Sequence, residues 1–380
     1  MNTSKKRFYL DSNGITIKCV NTVSGDKGFV NGVEYECVDN ELLRKRIKKG
    51  SDVTRLCTSL VTDMSELFKN SDFNKPIGNW DVSNVTHMNY MFHRSHFNQP
   101  IGKWDVSNVT DMSRMFMGSK FNKPIDNWDV SRVTNMRDMF YGCYFNQPIG
   151  EWDVSSVIDM GNMFKTSVFD QPIGKWDVSN VTDMSNMFEN TTFNQPIGKW
   201  DVCNVTSMSS MFFGSNFTRN SFNQPISNWD VSNVTDMRWM FCNSNFNQPI
   251  GNWDVSNVTN MSFMFKNTPF NQPIGNWDVS NVTNMTFMFS DSKFNQPIGN
   301  WDVSRVTNMR SMFSDSKFNQ YIGNWDVSNV TDMSYIFTFS DFNQNIDRWC
   351  VKNIQTEPLS FSKYCPLSEK YKPKWGTCPD

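Results

Sequence analysis

The chain has 380 residues, with 36 Lys and Arg against 38 Asp and Glu and a formal net charge of −2. That balance gives no bulk electrostatic reason to bind nucleic acid, and no apolar run approaches the length of a membrane-spanning helix. The nine cysteines include no Cys-x-x-Cys pair, which removes the usual zinc patterns.

Residues 1–10 have the basic start of a signal peptide, but the polar stretch 11–14 arrives before any apolar segment. Ordinary secretion is therefore not expected, and a virion or intracellular setting is favoured. Residues 11–40 read as short strands. The stretch 14–20 alternates apolar and polar residues, and 29–38 contains Asn31 and Gly32, a two-residue hairpin turn. A short helix is expected over 39–49, opening on cap-type residues and closing on cations before Gly50. Residues 1–50 are thus assigned to an N-terminal β-hairpin cap with a short helix.

From 51 to 349 one phrase recurs. Its Trp falls at 80, 104, 128, 152, 176 and 200, then at 229, 253, 277, 301, 325 and 349. The spacing is 24 residues throughout, broken once by five extra residues near 217–221. Self-similarity of this kind predicts a solenoid of about twelve coils, each burying its apolar side only against its neighbours. Within a coil, the Val-Thr-x-Met segment is expected to be a short parallel strand and the following Ser-x-Met-Phe a helical or 3₁₀ turn; the winding should be right-handed. From Pro358 the period is lost, and 350–380 is expected to be an irregular C-terminal cap in which Trp375 and Tyr371 cover the last coil.

Stacking turns each repeated residue into a column. Asparagines follow the Phe of each unit from Asn74 to Asn343, with Asp170 the one replacement, and should bond backbone groups between coils. A second column holds eleven carboxylates, from Asp81 to Asp326. Either each accepts a backbone N–H from its own turn, or calcium is shared between coils. The sequons, such as Asn84 to Thr86, should place their amides inside the packed repeat and stay unmodified. Cysteine replaces this Asp at both ends of the array, at Cys57 and Cys350. Two end staples are expected from that placement, Cys19 with Cys57 and Cys350 with Cys378; buried free thiols are the alternative.

The phrase spanning Phe270 to Phe289, recurring over about 56–349, resembles the BspA-like leucine-rich-repeat surface proteins, as do the ends around residues 14–19 and 375–378. The resemblance implies a leucine-rich-repeat-like solenoid with a binding or adhesion role, a cell-surface setting, and no known enzymatic activity.

No convergent set of acids, bases or nucleophiles stands outside the repeat, so an enzyme is not expected. His87, His93 and His96 lie in one coil, but their spacing matches no standard metal site, and His93 and His96 are expected to be exposed. Recognition should therefore use the columns that vary. One of these, just before Met-Phe, places Trp239, Phe263 and Phe287 on consecutive coils, with Tyr335 further on. If it points outward it is an apolar stripe for a protein or glycan partner; if inward, it fills core volume. The expected function is a non-enzymatic binding scaffold. The alternative is a structural component of a particle such as the virion of a large DNA virus.

Overall fold

The computed structural model describes residues 7–215 and 218–379. The chain forms two compact units, residues 1–180 and 181–380, and within each the coils stack as a solenoid.

The first unit opens with β1 (Arg7–Leu10) antiparallel to β2 (Ile17–Val20), followed by the hairpin of β3 (Lys27–Val30) and β4 (Val33–Cys37). Asn31 and Gly32 form its turn with φ of 52° and 79°, the pair of positive angles that a two-residue hairpin requires. The sequence reading misses β1, because Arg7 belongs to the basic run that reads as a signal-like start. Helix α1 (Asn40–Lys48) is capped by the Asp39 side chain, which accepts the Leu42 N–H at 2.9 Å. Strand β4 pairs in parallel with β5 (Leu56–Cys57), which begins the first coil. Asn40 Oδ1 then accepts the Thr62 and Asp63 amides at 2.9 and 3.2 Å. The cap thereby occupies a backbone edge that would otherwise invite association.

The coil beginning at Phe97 shows why the phrase repeats. Phe97, Ile101, Trp104, Val106, Val109, Met112, Met115 and Phe116 are all buried. Each ring lies on its counterpart in the next coil: Phe97 on Phe121 at 6.3 Å, Trp104 on Trp128 at 6.5 Å and Phe116 on Phe140 at 5.7 Å. The indole N–H of Trp128 donates to the Ile101 carbonyl at 3.2 Å, so the side chain that fills one coil also satisfies the backbone of the previous one. The asparagine column does the same on the surface. Asn122 Oδ1 accepts from the backbone of Asn146 at 3.1 Å and from Gln147 Nε2 at 2.9 Å.

Three expectations for the coil need correction. The predicted strand shrinks to a single bridged residue, as in Asp63, His87, Asp111, Asn135 and Asp159 of the first unit. A β-turn closed by Val109 N–H on the Val106 carbonyl precedes it, and an Asx turn in which Asp111 Oδ1 accepts the Ser113 amide follows it. The chain curls on both sides, leaving no room for a longer ladder. The predicted helical or 3₁₀ turn is also absent from the coils among the described residues. Arg114 and Gly118 have φ of 57° and 65°, angles that no right-handed helix contains. The sequon amides are not interior either. Asn84 is exposed, and its Nδ2 donates to the Ser59 carbonyl at 2.9 Å.

In the second unit the coil geometry outlasts the sequence period. Tyr335, Phe337 and Phe339 donate to the carbonyls of Leu359, Phe361 and Lys363. Ser360 and Tyr364 take up the positive φ of the coil positions they continue, so a degenerate turn persists past Pro358. Trp375 then packs edge-on against Phe361 at 4.9 Å, and Cys350 is disulfide-bonded to Cys378. A 3₁₀ turn at Glu369–Tyr371 is the one regular element among the described residues of this end.

Candidate functional site

Serine and aspartate are consumed by the coil itself. Asp129 Oδ1 accepts the Ser131 hydroxyl at 2.6 Å and its amide at 3.0 Å, which holds the Asp129 carboxyl below its usual range. Asp254 and Asp302 are lowered in the same way by Ser256 and Ser304. The column is thus compensated locally, one turn at a time. Among the described residues, no group of three His, Cys, Asp or Glu is arranged to hold a metal ion.

The three histidines diverge. His87 is exposed with Nδ1 2.9 Å from the Thr86 hydroxyl, and His96 is exposed with Nδ1 2.7 Å from Asp72. His93, expected at the surface, is buried edge-on against the Tyr90 ring, with neither ring nitrogen hydrogen-bonded. Burial lowers its pKa from 6.5, and nearby Arg94, Lys69 and Arg114 lower it further. The neutral ring is therefore the stable form. Its contribution is fully present above pH ~6.5 and is lost as pH falls through the depressed folded value. The urea midpoint should accordingly drop between pH 7 and 5, and His93→Met, copying Met117 one coil on, should reduce that drop. An unchanged pH slope in the variant would assign the effect to other groups.

What varies is gathered on the face made by the turns. In the coil of Met237, three turns overlap, closed by Met240 N–H on Met237 O, Cys242 on Trp239 and Ser244 on Phe241. Trp239 and Asn243 are the third residues of the first and last turns and carry φ of 61° and 54°, the angle demanded there by a type II turn. This geometry directs the amides of Met237, Trp239, Phe241 and Asn243 to carbonyls of the next coil. Asn, Gly and Asp tolerate such a position, whereas a bulky side chain there costs on the order of 1–3 kcal/mol. Trp239, Phe263 and Phe287 nevertheless occupy it on three consecutive coils, with φ of 61°, 60° and 55°.

The stripe is not core. All three residues are half-buried and stack face to face, with centroids 3.8 Å apart between Trp239 and Phe263 and 4.8 Å between Phe263 and Phe287. Lys266 Nζ lies 4.9 Å from the Phe287 centroid, a cation–π contact at the stripe's end. Ser311 interrupts the column, so Tyr335 stands apart beneath Arg310 at 4.9 Å. At the other end Phe213 meets Trp239 edge-on at 5.4 Å. Glu189, Ser210, Phe213 and Trp239 line a shallow notch of about 220 Å³ there.

The one interruption of the period reaches the same face. Asn220 Nδ2 donates to the Phe188 carbonyl at 2.7 Å, and Arg219 crosses to the carbonyls of Ser244 and Asn267 at 3.2 and 2.7 Å. Phe217, at the start of the insertion, lies outside the described residues. Sequence reasoning found the stripe but missed Phe213 and Glu189, which stand in the next variable column and carry no signal until the turns bring them beside Trp239. In the first unit the equivalent column is polar. Tyr90 lies between Lys69 and Arg114, at 4.7 and 5.2 Å, and Arg114 pairs with Asp138 at 3.0 Å.

A family model described as "Mycoplasma protein of unknown function, DUF285" matches residues 40–144, 118–220, 192–293, 213–316 and 267–375. No curated protein matches the chain significantly. Among the described residues, no helix is long and apolar enough to cross a membrane.

Proposed function

The chain belongs to the Mycoplasma protein family of unknown function DUF285, and from that premise we propose that it is a non-enzymatic binding scaffold whose recognition surface is the turn face of the second unit. One observation carries this reading. Three consecutive aromatics hold backbone positions that smaller residues would occupy with less strain, and all three remain half-exposed. Stacking is worth about 0.5–1.5 kcal/mol per pair, comparable to the strain rather than well above it. Stability alone is a weak reason for the stripe, whereas aromatic clusters are the usual anchors of interfaces. The partner of this reading is a protein presenting apolar groups, and the coils are taken as leucine-rich-repeat-like by the BspA-like resemblance.

The test compares the wild type with a Trp239→Ala, Phe263→Ala double variant as bait in extracts of the native source. A Thr259→Ala variant serves as control, because Thr259 is exposed in a different column. A partner retained by wild type and control should bind the double variant at least about tenfold more weakly, the loss expected for an anchor worth more than roughly 1.4 kcal/mol. Equal retention by all three, together with lowered stability of the double variant, would make the stripe a structural staple.

A further inference from the structure

Three sulfurs converge inside the N-terminal module. Cys19 lies on β2, Cys37 ends β4 and Cys57 ends β5, and the β4–β5 pairing sets Cys37 beside Cys57. The Sγ atom of Cys19 is 2.8 Å from that of Cys57 and 3.2 Å from that of Cys37. Both distances are longer than the roughly 2.05 Å of a disulfide, and the three residues are free thiols in this structure. All three are buried. Cys19 is thus the central sulfur, with one neighbour on each of two different strands.

We propose that Cys19 is a shared disulfide partner, bonding either Cys57 or Cys37, and that the third thiol exchanges the bond between them. The two pairings do different things. Cys19–Cys57 ties the β1–β2 hairpin to the first coil. Cys19–Cys37 ties the two hairpins of the cap to each other and leaves the coil free of the link. The site is therefore a redox-loaded anchor, independent of the binding role above.

The chemistry balances with a small disulfide such as oxidised glutathione, which reaches these thiols while the module is open during folding. The Cys19 thiolate attacks one glutathione sulfur, expels the other as a thiolate and becomes a mixed disulfide. A second cysteine thiolate then attacks Cys19 Sγ and expels the remaining glutathione. The two protein protons end on the two glutathione thiolates, so two protein thiols are oxidised and one glutathione disulfide is reduced. Exchange needs no further oxidant: the free cysteine, as thiolate, attacks Cys19 Sγ and the previous partner leaves as thiolate, taking up the proton. The surroundings favour Cys19 as the reactive centre. Hydrogen bonding from Cys37 and Cys57 pulls its pKa down, and the same contacts together with burial push Cys37 and Cys57 up. The Ser59 hydroxyl donates toward Asp81 at 2.6 Å and accepts the Cys19 amide at 3.1 Å, which fixes β2 against the coil while the sulfurs change partners.

The full chain, reduced and unfolded, is refolded in mixed reduced and oxidised glutathione, quenched in acid, alkylated and mapped as unreduced peptides. Closure of Cys350–Cys378 gauges the oxidising poise in the same molecule. The expected map has one alkylated cysteine among Cys19, Cys37 and Cys57, with both the 19–57 and the 19–37 isomers present. Cys57→Ala should leave only 19–37, Cys37→Ala only 19–57, and Cys19→Ala should leave Cys37 and Cys57 both alkylated. A 37–57 bond, a single isomer in the wild type, or three free thiols alongside a closed Cys350–Cys378 would overturn the proposal. The wild-type map decides the matter on its own where a variant does not fold.

Discussion

Trp128→Ala is expected to destabilise the protein by about 3–5 kcal/mol, the range for truncating a buried Trp in a packed core. Trp128 is 3% exposed and lies between Trp104 and Trp152, each 6.5 Å away, with Phe116 at 6.4 Å. Truncation opens a gap against both flanking coils and removes the indole N–H that satisfies the Ile101 carbonyl. The two losses can be separated. Trp128→Phe keeps an aromatic ring in the column but leaves the carbonyl without that donor, a cost of about 1–3 kcal/mol for a buried acceptor. Urea unfolding followed by far-ultraviolet circular dichroism measures both variants. A Trp128→Ala loss below about 1 kcal/mol would mean that the Trp column does not hold the coils together.

The effect should spread because of the backbone pattern. Within a unit, a coil sends alternate amides to its neighbour, as Met112, Arg114, Phe116 and Gly118 do toward Asn135, Arg137, Met139 and Tyr141. A coil that loses its place in the Trp stack loses those acceptors with it. In a chain built of nearest-neighbour contacts, one damaged interface weakens both sides of the break.

The parts of this architecture legible in the sequence are those set by periodicity. Burial of Val109, Met112, Trp104 and Phe116 follows from one phrase recurring every 24 residues. The Asn31–Gly32 hairpin and the capped helix α1 follow from local chemistry that leaves few alternatives. What could not be read depends on dihedral angles rather than on residue type. Nothing in Trp239, Phe263 or Phe287 announces a positive φ, since aromatics usually avoid it. Without that angle, the Ser-x-Met-Phe segment looks like a helical turn and the stripe could face either way. His93 was misplaced for a related reason. Its column holds Lys69 and Met117 in adjacent coils, so residue type did not reveal that the ring turns under Tyr90. The tail past Pro358 lost the words of the repeat but kept its hydrogen bonds, which need only backbone and the φ of Ser360 and Tyr364.

The same distinction separates scaffold from surface. Columns that repeat are occupied: asparagine amides bond the next coil, aspartates close their own turns, and the Thr259 hydroxyl reaches the Thr235 carbonyl at 3.2 Å. Side chains that differ between coils are those the stack does not require. Trp239, Phe263, Phe287 and Phe213 form an apolar group where the first unit has the Lys69, Tyr90, Arg114 and Asp138 network. The two turn faces therefore present different chemistry on one backbone design.

The central claim is that the 24-residue coil is the unit of stability, each copy held by its neighbours. Removal of residues 294–317 tests it most directly, because Ser290–Lys293 repeats the Ser-Asp-Ser-Lys of residues 314–317 and both precede Phe-Asn-Gln. The junction is unchanged in sequence, and every column on either side remains in register. Removal of 294–305 alone takes out half a coil and would bring Val306 to where Phe294 stacked between Phe270 and Phe318, at 6.2 Å from each. Tryptophan emission of the two deletions, read with urea titration, is the decisive measurement. The whole-coil deletion should keep the blue-shifted emission of buried indoles and cooperative unfolding, and the half-coil deletion should shift emission to the red or fail to fold. Equal tolerance of both deletions, or loss of structure on removing the whole coil, would contradict the account.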